Sequence, residues 1–152
     1  MAAFPQVNLN LDLRDGLCFG CGRNNPVGLK LDFRSNGKVT ETEFTPDKFH
    51  QGWPGVLHGG IITCLLDEAM SYAAYFAGVR CITAKMEVEI KRPAPIAVTL
   101  LITASVTRHT RKLLETEARV CLRDGTLIAV SRAKQFVVGE APPGKEESPA
   151  NA

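Results

Sequence analysis

The sequence predicts an α+β fold, an antiparallel sheet of about six strands curled around one long central helix. Three observations carry this. Between Gly60 and Gly78 there is no proline or internal glycine and alanine is frequent, so one helix forms there and Gly78 stops it. Segments rich in β-branched residues lie on both sides of it, two before and four after, with tight-turn signals between them. Such an order excludes the strand-helix alternation of a parallel sheet, and it leaves a single helix to cover the apolar face of all the strands.

In chain order, residues 1–28 are rich in Gly, Asn, Pro and Asp without a sustained period and read as an irregular lead-in. The main domain follows as residues 29–138. Leu29, Leu31 and Phe33 alternate with Lys30, Asp32 and Arg34, Asn36-Gly37 makes a two-residue turn, and Val39 to Phe44 alternates again, which is a hairpin. Thr45 to Gly60 is turn-rich and ends at His58-Gly59-Gly60. In the helix, Ile61, Ile62, Leu65, Leu66, Ala69, Met70, Ala73, Ala74, Phe76 and Ala77 cover more than one face, as burial on most sides requires. Four strands are then expected at Thr83–Lys91, Val98–Thr107, Leu113–Leu122 and Leu127–Val138, with Asp124-Gly125 as a further turn. Residues 139–152 hold prolines and no large apolar side chain after Val138, and read as a mobile tail.

Composition narrows the function classes. A hydrophobic fraction of 45% and a charged fraction of 22% belong to a globular chain of 152 residues, long enough for one domain with a core. Eighteen Lys plus Arg against sixteen Asp plus Glu leave a net charge of +2, without the basic excess that nucleic acid demands. No apolar run approaches the ~20 residues that span a bilayer, and Met1-Ala2-Ala3-Phe4-Pro5 lacks the pattern of an export signal. A cytoplasmic protein without nucleic-acid or membrane partners is expected. Its five cysteines then read as reduced thiols. Cys18 and Cys21 form a C-x-x-C, but a structural zinc site needs two more ligands, and Cys64, Cys81 and Cys121 provide no second paired spacing. Neither His50 and His58 nor a thioredoxin-type arrangement completes the pair, so no metal and no cofactor is expected.

Two features carry chemistry. Glycines at 59 and 60 let a substrate approach the backbone, and the N-terminus of the helix presents unpaired N–H donors that polarise a carbonyl. The plainer alternative is that the glycines shape a tight turn and His58 caps the helix. Second, Asp67 and Glu68 lie in the most apolar segment of the chain, where a carboxylate is costly without a partner or a purpose. Seven residues place Gly60 and Asp67 on one face, roughly 10 Å apart along the axis, with Glu68 rotated away. That is too far for both to act on one carbonyl within a single chain, so two helices running antiparallel across a two-fold axis are expected to build the site. The plainer alternative here is Asp67 bonded to a threonine, an amide or a basic residue inside the core.

His58-Gly-Gly-Ile-Ile-Thr-Cys-Leu-Leu-Asp67-Glu-Ala-Met, then Thr83-Ala, then Val88-Glu-Ile-Lys-Arg-Pro93, resembles the hotdog-fold acyl-CoA thioesterases, and within them the PaaI-like branch. The segment Cys18-Phe-Gly-Cys-Gly-Arg to Leu29 resembles a subgroup of that branch. The resemblance implies the hotdog fold, homodimers that often pair into homotetramers, and hydrolysis of acyl-CoA at the dimer interface. It implies that Asp67 is general base or nucleophile, that the Gly60 amide polarises the thioester carbonyl beside His58, and that Thr83 places the water. Relatives commonly carry an Asn six residues before the motif histidine. Here that position is Gly52, with Gln51 beside it as a substitute, and the departure leaves a non-catalytic acyl-CoA binding protein as the alternative function. A dehydratase on the same fold ranks last. Lys91 and Arg92, or Arg111 near His109 at a hairpin tip, are expected to meet coenzyme A phosphates. Trp53 and Phe49 line an acyl pocket or simply cover the helix end.

Overall fold

The computed structural model describes residues 15–141. Residues 1–14 and 142–152, including nearly all of the expected mobile tail, lie outside them. Six strands and one long helix follow in the order β1 (Arg34–Ser35), β2 (Thr40–Phe44), α1 (Gly59–Phe76), β3 (Val79–Ile90), β4 (Leu100–His109), β5 (Leu113–Leu122) and β6 (Leu127–Glu140), with a single 3-10 turn at Lys48–His50. The sheet is antiparallel throughout, ordered β1-β2-β4-β5-β6-β3. Because α1 joins β2 near one edge to β3 at the other, it must cross the face of the three strands between, and there it fills the core.

Ile62, Leu65, Leu66, Ala69, Met70, Tyr72, Ala73 and Ala74 of α1 are buried. All but Ala74 share one core cluster with Leu100, Ile102 and Ala104 on β4, Ala118 and Val120 on β5, and Ile128 and Ala133 on β6. Small residues on both surfaces let the helix sit close to the sheet. Gly78 ends α1 at φ +93°, a conformation that favours glycine, while the Ala77 and Gly78 amides return to carbonyls of Ala73, Ala74 and Tyr75. The reversal is immediate, so β3 starts at Val79, four residues ahead of the expected Thr83.

The first hairpin is the main correction. Leu29, Leu31 and Phe33 are buried and Lys30, Asp32 and Arg34 exposed, as alternation demands, yet only Arg34 and Ser35 pair with β2. Lys30 adopts φ +52°, which breaks a strand. The amides of Leu29 and Leu31 instead bond to Phe19 and Gly20 of the lead-in, at 2.8 and 2.9 Å. Phe33 stacks on Tyr72 of α1 with ring centroids 4.3 Å apart. Alternation reported burial here and not the partner of the backbone.

Leu65 is fully buried between α1 and the sheet. Leu65→Ala is expected to lower stability by about 3 kcal/mol through lost transfer energy and a residual cavity, read as a shift of the urea midpoint with little change of slope.

Candidate active site

The loop ahead of α1 is closed on itself. Gly52 donates to the Val56 carbonyl at 2.9 Å, and Gly55 donates to Oε1 of Gln51 at 3.0 Å. This turns the Gln51 side chain onto its own loop. The His58 amide bonds to the His50 carbonyl at 2.9 Å, and Nδ1 of His58 accepts the Gly60 N–H at 2.8 Å. His58 is therefore the N-cap of α1, as the plainer alternative had it. An accepting Nδ1 puts the proton of the neutral ring on Nε2, so the ring keeps a donor. The Gly60 amide, meanwhile, is already engaged.

A cleft of about 690 Å³ opens at this end of the helix and gathers Gly52, Trp53, His58, Gly59, Lys91 and Arg92. The amides of Lys91 and Arg92 both bond to the Ile128 carbonyl, which anchors the end of β3 beside the cleft. Lys91 pairs with Glu89 on the surface, and that pairing holds the Glu89 carboxyl below its ordinary range. Trp53 and Phe49 stand 84% and 83% exposed. Met70 and Phe76, by contrast, belong to the core or pack against it. Arg111 is not brought here. It follows β4, at the end of the sheet where β5 and β6 pair near Phe136 and Ile82, about nine residues of strand or roughly 30 Å from Lys91.

Asp67 sits midway along α1, outside the lining of the cleft, and its Oδ1 accepts a 2.7 Å hydrogen bond from the Thr83 hydroxyl of β3. The register of β3 on β6 shifts between Thr83 and Lys85, a local irregularity at the position that faces the carboxylate. Behind Thr83 stands Gln135, which is fully buried; its Nε2 lies 3.5 Å from the Thr83 hydroxyl and its Oε1 accepts from Thr116 at 3.2 Å. A polar line thus runs from β5 through β6 and β3 to α1. Sequence reasoning missed Gln135 and Thr116. The available signal was their phase, since both fall on the inward positions of otherwise apolar alternations.

Glu68 faces elsewhere, toward the lead-in. The Cys18 thiol lies 3.5 Å from its Oε1. Burial, then the neighbouring Cys18, pushes the Glu68 carboxyl up to about 8. The hydrogen bond from Cys21 draws Cys18 down to about 5, while Cys21 is raised, first by Cys18 and then by burial. Burial, followed by the Glu68 charge, raises Cys64 to about 11.

With this geometry in view, residues 54–129 match the thioesterase superfamily family model, half of the chain, and the protein belongs to that superfamily. Among curated proteins it is similar to acyl-coenzyme A thioesterase THEM5 of Mus musculus, 33% identical over 64 residues, which are 42% of this chain and 26% of the mouse protein. It is also similar to acyl-coenzyme A thioesterase THEM4 of Xenopus laevis, 23% identical over 62% of this chain and 42% of that one. The chain thus spans between a quarter and a half of the length of these relatives. Among solved structures, smu.793 of Streptococcus mutans bound to acetyl CoA superposes with a TM-score of 0.70 at 19% identity, covering 74% of this chain and 91% of that one. The E. coli PaaI protein from the phenylacetic acid degradation operon gives 0.69 at 22%, over 74% and 83%. These likenesses identify the hotdog fold.

Removing the cap isolates its contribution. His58→Ala is expected to cost about 1 kcal/mol, as other side-chain caps do, measured by urea unfolding at neutral pH.

Proposed function

We propose that this chain hydrolyses acyl-CoA thioesters at a site shared by two copies. The observation that carries it is the Asp67–Thr83 bond, held mid-helix in a thioesterase-superfamily chain, roughly 10 Å from the cleft at the helix N-terminus. Neither half suffices alone. β3 ends the sheet, and among the described residues nothing pairs with the outer edge of its twelve residues. A two-fold partner laid against that edge covers it together with exposed Ile90, Trp53 and Phe49, and carries its own Asp67 toward this cleft. Pairs of such dimers then form tetramers. The names of the curated relatives support acyl-CoA as substrate class, and reduced cysteines suit the cytoplasm.

In the reaction, Asp67 of the partner subunit takes a proton from water as the water oxygen bonds to the thioester carbon. Thr83, bonded to Oδ1, fixes the carboxylate and the water. Negative charge on the carbonyl oxygen is met by the Nε2–H of His58, and by the Gly60 amide once its bond to Nδ1 is shared. The C–S bond then breaks, and the leaving thiolate takes the proton held by Asp67 of the partner subunit, which frees coenzyme A and restores the carboxylate. Gly59 leaves room for the thioester, Trp53 flanks the acyl group, and Lys91 and Arg92 meet phosphate. Arg111 meets phosphate only from across the interface.

Asp67→Asn is expected to lower kcat about 10³-fold in a thiol-release assay over a panel of acyl-CoA esters. Mixing it with inactive Gly60→Pro, which removes the amide proton, should restore part of the activity in heterodimers. Full activity in the Asn variant, or a fully active monomer by light scattering, would overturn the shared site.

Gly52 supports a second reading, in which the protein binds acyl-CoA without turning it over. A Cβ at position 52 would lie 3.4 Å from Cδ2 of His58, an ordinary contact, so a side chain fits there. Gly52→Asn is expected to raise kcat by up to about 10²-fold, the worth of one oxyanion donor. Wild-type binding without hydrolysis, together with activity in the Asn variant, identifies the binding protein.

A further inference from the structure

The strongest unused feature lies on the other side of α1. Between Gly16 and Leu31 the chain folds back on itself. The Gly22 amide bonds to the Cys18 carbonyl at 2.8 Å in one helical turn, Asn24 bonds to Gly16 at 2.9 Å, and Leu29 and Leu31 pair with Phe19 and Gly20. One turn sets residues three apart on the same side, so Cys18 and Cys21 both face α1, where Glu68 meets them. The two sulfurs and a carboxylate oxygen all lie within 4.8 Å of one another.

We propose that Cys18, Cys21 and Glu68 bind one thiophilic divalent cation, zinc foremost, which fastens the lead-in to the central helix. The dimensions fit. Tetrahedral zinc with Zn–S of ~2.3 Å and Zn–O of ~2.0 Å requires an S···O edge of about 3.5 Å, and the Cys18 to Glu68 distance is 3.5 Å. Gly20, between the cysteines, and Gly22, after them, are bare for a reason. A Cβ at Gly20 would stand 2.5 Å from the Glu68 carboxyl carbon, and one at Gly22 would stand 2.3 Å from the Gly16 carbonyl oxygen. Either would expel the carboxylate or open the turn. Charge argues the same way, since Glu68 makes no ion pair among the described residues and its neighbours are thiols that ligate as anions. A cation meets the charge these ligands carry once their protons leave, with water in the fourth position and the protons released on binding. The sequence held a C-x-x-C with no second pair because the third ligand is a helical carboxylate fifty residues away.

This inference is independent of the hydrolysis proposed above and is tested without an activity assay. The reduced, chelator-stripped full chain is titrated with Co²⁺ and then Zn²⁺. One Co²⁺ per chain is expected, with thiolate-to-cobalt charge transfer in the near ultraviolet and the visible bands of tetrahedral cobalt, bleached by one equivalent of Zn²⁺. Cys18→Ser and Cys21→Ser should each weaken binding by more than roughly 100-fold, the upper end of what losing a ligand's own hydrogen-bond partner costs. Glu68→Gln should weaken it, and Glu68→Cys should restore it with stronger charge transfer. Circular dichroism of each variant confirms folding, and Zn²⁺ should protect the lead-in of the wild type from proteolysis. No thiolate-to-cobalt absorption in the wild type, unchanged affinity in folded Cys21→Ser, or a Cys18–Cys21 disulfide persisting in thiol buffer would overturn the proposal.

Discussion

The hydrogen bond from Thr83 to Asp67 is the constraint around which the molecule is arranged. A helix that fills the concave face of a six-stranded sheet can carry a carboxylate only where that group finds a donor, because a bare carboxylate in such surroundings is expensive. The donor comes from the strand that follows the helix, and β3 must therefore lie at the far edge, paired to β6 in the register that sets Thr83 opposite Gln135. Gln135 is in turn held by Thr116. Four elements are tied through one polar line, and the azimuth of α1 about its axis is set by it.

That azimuth has a second effect. The next residue on the helix is about 100° further round, which carries Glu68 away from the sheet edge and into the lead-in. The lead-in supplies what the short β1 does not. It provides backbone partners for Leu29 and Leu31 and a polar neighbour for Glu68. One rotation of one helix so decides what both sides of the core must look like.

The helix and the last three strands were legible because their signals are local: freedom from proline and glycine, small residues at helical spacing, alternation, and Asp124-Gly125 between β5 and β6. The shared face of Gly60 and Asp67 follows from helical geometry alone. What was not legible was always a matter of partner. Alternation placed Leu29, Leu31 and Phe33 inward but could not say that their amides bond to Phe19 and Gly20 and not to β2. His58 was readable both as a cap and as a site residue, and its Nδ1 is spent as a cap. Gln135 and Thr116 sit on inward phases of strands, where a polar residue looks like an irregularity until a neighbour from a distant strand is in place. Glu68 was read only as rotated away from the line of Gly60 and Asp67, while its cysteine neighbours, about fifty positions earlier, leave no periodic trace.

The outer edge of β3 contrasts with the opposite edge of the sheet. There the last strand is two residues long, too short to template another chain, whereas β3 offers twelve. Among the described residues, addition of a long strand is thus favoured at the β3 edge. In the proposed dimer, two copies that meet at this longer edge exhaust each other's capacity to recruit a third by the same contact. Closure of the proposed dimer at two follows from the unequal lengths of the described margins, and a larger assembly of such dimers uses faces in place of edges.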